Sequence, residues 1–122
     1  MELKVVRSDN QTLLQIKLGI SYKELSTVRS LTDIDVWDEA RESKVFTVMP
    51  SNTTISVSPK GLALPLSNST KPINITAQLE ESDDLKLRYF VALVKKGLEA
   101  YLENFNTAQA EIETLAEGVV IE

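Results

Sequence analysis

Residues 83–117 read DDLKLRYFVALVKKGLEAYLENFNTAQAEIETLAE, and this stretch decides the fold class. Its apolar residues recur with the 4-3 spacing of a heptad seam, which is typical of an amphipathic helix. Ser82 is a suitable N-cap, with Asp83 and Asp84 in the first turn, where the helix dipole favours acidic side chains. The heptad seam consists of two interleaved series: Leu87, Val94, Tyr101, Ala108 and Leu115, and Val91, Leu98, Phe105, Ile112 and Val119. The sequence therefore predicts a long helix that buries this seam against a sheet or another helix.

The predicted helix is longer than the sheet it would cover. About 35 helical residues extend about 50 Å, whereas strands of about 5–7 residues span about 17–24 Å. We therefore expect residues 85–105 to cover the sheet and residues 108–119 to overhang it or to fold back. Asn106 or Thr107 is able to cap a second helix, so a kinked pair of helices stays open. The opposite side of the first turns carries a minor apolar stripe of Leu85, Tyr89 and Leu93. If the helix is continuous, its overhanging seam requires a partner surface.

The residues before position 80 predict short strands separated by turns. Ser21 and Glu24 have the spacing of a capping box, which favours a short helix that extends to Arg29. The predicted strands are residues 2–7, 12–18, 33–37, 44–49, 53–58, 62–66 and 73–79. The expected fold class is α+β: an antiparallel β-meander of six or seven short strands, followed by a long amphipathic C-terminal helix, straight or kinked, that packs on the sheet.

Length and composition predict a single domain over residues 1–122, with a β-rich part at 1–80 and a helical part at 82–118. The chain is 43% hydrophobic and 25% charged, which is ordinary for a globular protein. No apolar run approaches the roughly 18 residues of a membrane span, so no membrane partner is expected. The first residues lack the apolar core of a secretory signal. The expected compartment is the cytoplasm, or the host cytoplasm if the gene is viral.

The absence of cysteine and histidine narrows the chemistry. It removes thiolate nucleophiles, the usual zinc ligands and the side chain best suited to proton transfer near neutral pH. We therefore predict a protein that is not an enzyme and that has no cofactor and no metal site. The weak candidates for a metal or catalytic site are Asp33, Asp35 and Asp38. A charged edge strand that discourages aggregation explains the same cluster equally well.

The net charge of −5 is unevenly distributed. Basic and acidic residues balance in the first half, so the whole acidic excess lies in residues 61–122. From Gly97 onwards the chain has six glutamates and no lysine or arginine. A surface of this sign repels phosphate backbones, and no nucleic-acid partner is expected.

These observations favour a non-enzymatic binding or assembly protein, homo-oligomeric through the C-terminal helix, that engages a protein or a small ligand. Its composition suits accessory, inhibitor or chaperone proteins of bacteria or phages. One alternative is a carboxylate- or metal-dependent enzyme that uses the Asp33, Asp35 and Asp38 cluster. Another is a structural subunit of a larger particle. The predicted interface residues are Leu87, Val91, Val94, Leu98, Tyr101, Phe105, Ile112 and Leu115.

Overall fold

The computed structural model describes residues 1–32, 44–48, 53–58, 61–80 and 83–122, with the backbone alone for residues 44–48, 53–58 and 61–63. The strands are β1 (Glu2–Ser8), β2 (Gln11–Ser21), β3 (Lys44–Val48), β4 (Thr53–Ser58), β5 (Gly61–Ala63) and β6 (Pro72–Leu79), and the helices are α1 (Tyr22–Leu31) and α2 (Asp84–Glu117). The predicted strand at residues 33–37 lies outside the described residues, as do Asp33, Asp35 and Asp38. The number of strands in the whole chain therefore stays a prediction.

The architecture is α+β, with an antiparallel sheet and a long C-terminal helix, as the sequence predicts. The predicted meander is wrong. The strand order is β1-β2-β6-β3-β4-β5, so β6 lies between β2 and β3 instead of at the end of the sheet. It is antiparallel to both neighbours: Leu14 of β2 and Val48 of β3 each pair with Ala77.

The interior place of β6 follows from its side chains. Four alternate positions of β6 are apolar and buried: Ile73, Ile75, Ala77 and Leu79. A strand with an unbroken apolar face buries most of that face when it has a neighbour on each side. The β1–β2 hairpin leaves the second edge of β2 free, and β6 occupies it. A meander would have left the most apolar strand at an edge.

The second strand contains a bulge that directs the chain into α1. The register of β2 against β6 shifts between Lys17 and Ser21, and Gly19 in this segment has φ of 81°. Glycine adopts this left-handed backbone without the steric strain that a Cβ atom would add. Ser21 then begins α1 with the predicted capping box, which is confirmed: the Glu24 amide donates to Ser21 Oγ over 3.1 Å, and the Ser21 amide donates to Glu24 Oε1 over 3.4 Å.

The C-terminal helix α2 is a single helix of 34 residues, so the alternative of two helices with a second cap at Asn106 or Thr107 is wrong. Thr107 lies inside the helix, and its Oγ1 donates to the Glu103 carbonyl over 3.1 Å, one turn earlier, instead of capping a new start. The predicted N-cap Ser82 is also wrong. Asp83 is the N-cap, and its carboxylate accepts from the Lys86 amide over 3.0 Å.

The core lies between one face of the sheet and the heptad seam of α2. The inward positions of β2 alternate with polar or exposed ones, as in a strand that is buried on one face. Leu25 and Val28 of α1 close one side of the core. The fully buried side chains of largest volume are Tyr101, Phe105, Leu14, Ile16, Leu25, Ile73, Ile75, Leu98 and Val94. The first two-thirds of α2 is therefore part of the core of this chain.

Candidate functional site

The predicted interface residues divide into a buried and an exposed group. Five of them are at most 4% exposed and lie in the core of the chain itself: Leu87, Val94, Leu98, Tyr101 and Phe105. Val91 and Ile112 are half-buried and pack against that core. Leu115 is 77% exposed. While this packing holds, the buried five are unavailable to a partner, and the exposed side chains at the distal end of α2 are available.

Along α2, the heptad seam changes from buried to exposed between Ala108 and Leu115. Ala108 is the last buried residue of α2. Ile112 follows one turn later and is half-buried beside Thr27 and Val28 of α1. Leu115 is 77% exposed and does not line the groove beside α1. The sheet and α1 therefore cover the seam to Ile112 and leave the rest of it open.

Beyond this boundary the chain carries exposed apolar side chains. We call Leu115, Val119, Val120 and Ile121 the distal apolar end, and they are between 67% and 94% exposed. The helix ends at Glu117, where Gly118 caps it with φ of −78°, and the Val119 amide donates to the Ala116 carbonyl over 3.1 Å. Single exposed apolar residues are ordinary, but several close together at one end make the distal apolar end a candidate interaction surface.

A groove of about 440 Å³ lies between α1 and the distal part of α2. Its floor includes Val28 and Ile112, and its walls carry Lys23, Gln109 and Glu113. Ser21 also lines the groove, but its hydroxyl is already used in the capping box. The groove thus has an apolar floor with a few polar groups of both signs above it, which suits a small amphipathic ligand or the side chains of a protein partner.

A second groove of about 480 Å³ lies between the edge strand β1 and the start of α2. Val5, Leu87 and Val91 form its apolar part. Arg7 of β1 donates to Asp84 at the start of α2, which joins the two walls at one end. The groove is bordered by more cations than anions, in contrast to the acidic distal half of the helix. The sequence does not reveal either groove, because each is made by elements that are far apart in the chain.

The charges on α2 are strongly segregated. Its first half, residues 84–97, carries Lys86, Arg88, Lys95 and Lys96 against the single acid Asp84, a net charge of +3. Its second half, residues 98–117, carries five glutamates and no cation, a net charge of −5. Lys95 and Glu99 form an i,i+4 pair of 3.9 Å where the two halves meet. The helix is therefore basic at one end and acidic at the other.

Tyr101 is a buried ionisable side chain of the core, and Arg29 lies near it. Burial raises the pKa of the Tyr101 phenol above its ordinary value of 10.0, and the nearby Arg29 guanidinium offsets part of this rise. Arg29 itself donates to the Leu64 carbonyl over 2.8 Å. Tyr101 is buried in the core and Arg29 is half-buried, and neither side chain lines either groove.

The weak metal candidates Asp33, Asp35 and Asp38 lie outside the described residues. Elsewhere, within the part of the chain that the structure describes, no three carboxylates come together in a group that could hold a metal ion. No described helix combines the length and the apolar composition that crossing a bilayer requires. The distal apolar end, the two grooves and the segregated charges of α2 are therefore the features from which a function has to be inferred.

No protein-family model, curated protein or solved structure matches this chain.

Proposed function

We propose that this protein is a non-enzymatic binding and assembly protein that forms a homo-oligomer through its C-terminal helix. The observation that supports this proposal is the distal apolar end, which the sheet and α1 leave uncovered. Burial of one such aliphatic side chain contributes about 1.5–3 kcal/mol. A contact that buries Leu115, Val119, Val120 and Ile121 from each of two copies would therefore offset much of the entropy that association costs.

The proposal also includes a ligand or a protein bound beside the assembly surface. The groove between α1 and α2 supports this part, because Ile112 lies in the groove and one turn away from Leu115. A small amphipathic molecule in this groove would contact one copy on its floor and the neighbouring copy at its rim. A native mass spectrum of the protein purified from its own source would reveal such a molecule as an added mass. Loss of that mass in Ile112→Asp would place the molecule in this groove.

Light scattering coupled to gel filtration tests the assembly. We expect the wild-type chain to elute with a multiple of its 13.6 kDa mass. Replacement of the four residues of the distal apolar end by serine should shift the mass to that of a monomer, without loss of helical circular dichroism. Leu66→Ser is the matched control, because Leu66 is 67% exposed, like Val119, but lies in the loop after β5. A wild-type chain that stays monomeric at high concentration would contradict the proposal.

A further inference from the structure

The charges at the C-terminal end of α2 run against its helix dipole. The dipole favours acids near the first turn and bases near the last turn. The first turn carries Asp84 behind the N-cap Asp83, as the dipole favours, although Lys86 and Arg88 follow closely. The last turn has no basic residue, and Glu113 and Glu117 lie at this end. A contact that brings cations to the last turns would therefore stabilise the helix.

The face of α2 that points away from the sheet runs the full length of the helix and is exposed throughout. We call it the outer stripe, and its spacing of three and four residues keeps it on one side of the helix. Leu85 is 78% exposed and Tyr89 is 66% exposed, so its first half carries large apolar side chains. Its last three positions, Thr107, Ala110 and Thr114, carry small ones. The outer stripe consists of Leu85, Tyr89, Ala92, Lys96, Glu99, Glu103, Thr107, Ala110 and Thr114.

A shallow depression of about 590 Å³ lies on the small-residue end of the outer stripe. Thr107, Ala110, Glu111, Thr114 and Leu115 line it. Leu85 and Tyr89 therefore lie at one end of the outer stripe, and the small residues Thr107, Ala110 and Thr114 lie at its other end. In an antiparallel pair, large side chains would face small ones, and the basic half would face the acidic half.

We propose that a second copy of this chain packs antiparallel along the outer stripe, with the twofold axis between Glu99 and Ala100. This inference rests on the proposed assembly and specifies its surface and its orientation. Such a contact is isologous, because each pair of facing residues occurs twice. The facing pairs are Leu85 with Thr114, Tyr89 with Ala110, Ala92 with Thr107 and Lys96 with Glu103.

The antiparallel orientation is the one that the charges favour. It places the +3 half of each helix beside the −5 half of the other, so the charges that oppose the helix dipole gain partners of opposite sign. A parallel pair would place like charges side by side along the whole helix. A polyanion such as RNA would meet the five glutamates of the distal half. A second antiparallel copy is thus the partner that suits both halves at once.

The same arrangement places the distal apolar end at the edge of the contact. In an antiparallel pair, residues 116–121 of one copy extend past the start of α2 of the second copy. Arg7 and Arg88 lie near the start of that helix. Glu117 and Glu122, beside the apolar residues of the distal segment, carry the opposite charge.

Cysteine cross-linking tests the orientation, since the 122 residues contain no cysteine. A tagged Leu85→Cys chain and an untagged Thr114→Cys chain are mixed, treated with a short bis-maleimide and separated on a denaturing gel. The antiparallel pair predicts a mixed tagged–untagged product as the main cross-link. It predicts little self-product from Leu85→Cys, because the two copies of Leu85 lie roughly 44 Å apart along the helix axis. Leu66→Cys, off the outer stripe, is the control for collisional cross-linking.

The other outcomes separate this inference from the proposed assembly. Self-product of Leu85→Cys as the main species would indicate parallel packing and overturn the inference alone. Oligomeric mass without cross-linking above the Leu66→Cys control would overturn it as well, and would leave the assembly in place. Monomeric mass without cross-linking would contradict both.

Charge reversal tests the central pair of the outer stripe. Lys96→Glu should weaken self-association about tenfold, because two attractive pairs with Glu103 become repulsive. The double change Lys96→Glu with Glu103→Lys should restore the dissociation constant to within about twofold of wild type. Lys71→Glu, an exposed change of the same charge away from α2, should have little effect. Sedimentation at 0.1 M and 1 M salt measures these constants, with smaller differences expected at high salt. Equal weakening by the double change would overturn the pairing.

Discussion

The two parts of α2 share one apolar spacing but differ in what covers it. From Leu87 to Ala108 the heptad seam is buried by the sheet of the same chain. From Leu115 onwards the same periodicity continues without a cover. The difference teaches that a heptad seam indicates only that a helix needs a partner surface. Whether that partner is the chain's own sheet or a second copy depends on the length of the sheet relative to the helix.

The largest expected difference between the two parts of α2 is in the stability lost when one leucine of each part is truncated. Leu98→Ala removes a side chain that is 0% exposed, and we expect the free energy of unfolding to fall by about 2–5 kcal/mol because a cavity remains in the core. Leu115→Ala should change it by less than about 0.5 kcal/mol. Urea denaturation at low protein concentration measures both. Equal losses would show that the distal part belongs to the core.

The next prediction concerns the boundary between the covered and the uncovered part of the heptad seam. This boundary lies at Ile112, which α1 partly covers. The bulge at Gly19 leads β2 into α1 at a φ of 81°, and a Cβ atom there would meet no neighbour within 4 Å. Gly19→Ala should therefore destabilise through the backbone alone, by about 1–2 kcal/mol. Gly118→Ala is the matched control, because φ at Gly118 is −78° and its added Cβ makes only an ordinary contact of 3.8 Å.

Thermal unfolding of the two alanine variants measures this effect. The Gly118→Ala chain should be as stable as wild type or slightly more stable, since alanine restricts the unfolded chain. A Gly19→Ala chain with wild-type stability would mean that the backbone at this bulge relaxes to a negative φ. In that case the position of α1, and with it the boundary at Ile112, would not depend on the glycine.

The parts of this fold that local periodicity encodes are predictable from the sequence. The heptad seam and the capping box at Ser21 are examples, because each depends on residues within a few turns of one another. The position of β6 between β2 and β3 is not predictable in this way. Alternation in a strand indicates which face is buried, but it does not indicate which neighbour pairs with each edge.

The candidate site was predictable to a similar extent. The overhang beyond Ala108 follows from the length of the helix, and Leu85 and Tyr89 are recognisable as a minor apolar stripe. The depression at Thr107, Ala110 and Thr114 gives no such signal, because small and weakly polar residues contribute little to an amphipathic pattern. Its significance depends on the helix continuing through residues 106 and 107, which the sequence left open.

The smallest expected effect is on the pH dependence of stability. It is tested by comparing two tyrosines that lie on opposite faces of α2. Tyr101 is buried in the core, and Tyr89 is exposed on the outer stripe. Because burial raises the pKa of Tyr101 in the folded chain, the folded state keeps its phenolic proton at a pH where the unfolded chain loses it. The stability that results is fully present below about pH 10 and is lost as pH rises through the folded pKa.

We therefore expect Tyr101→Phe to reduce the fall in stability above about pH 10, by at most about 1.4 kcal/mol per pH unit, which is the slope that one proton gives. Urea midpoints measured between pH 8 and pH 11 provide the comparison. Tyr89→Phe should follow the wild-type curve, because it removes an exposed phenol and leaves the buried Tyr101 in place. Parallel curves for Tyr101→Phe and wild type would mean that the phenol reaches solvent in the folded chain, and that the proximal seam is less completely covered than the packing of Tyr101 indicates.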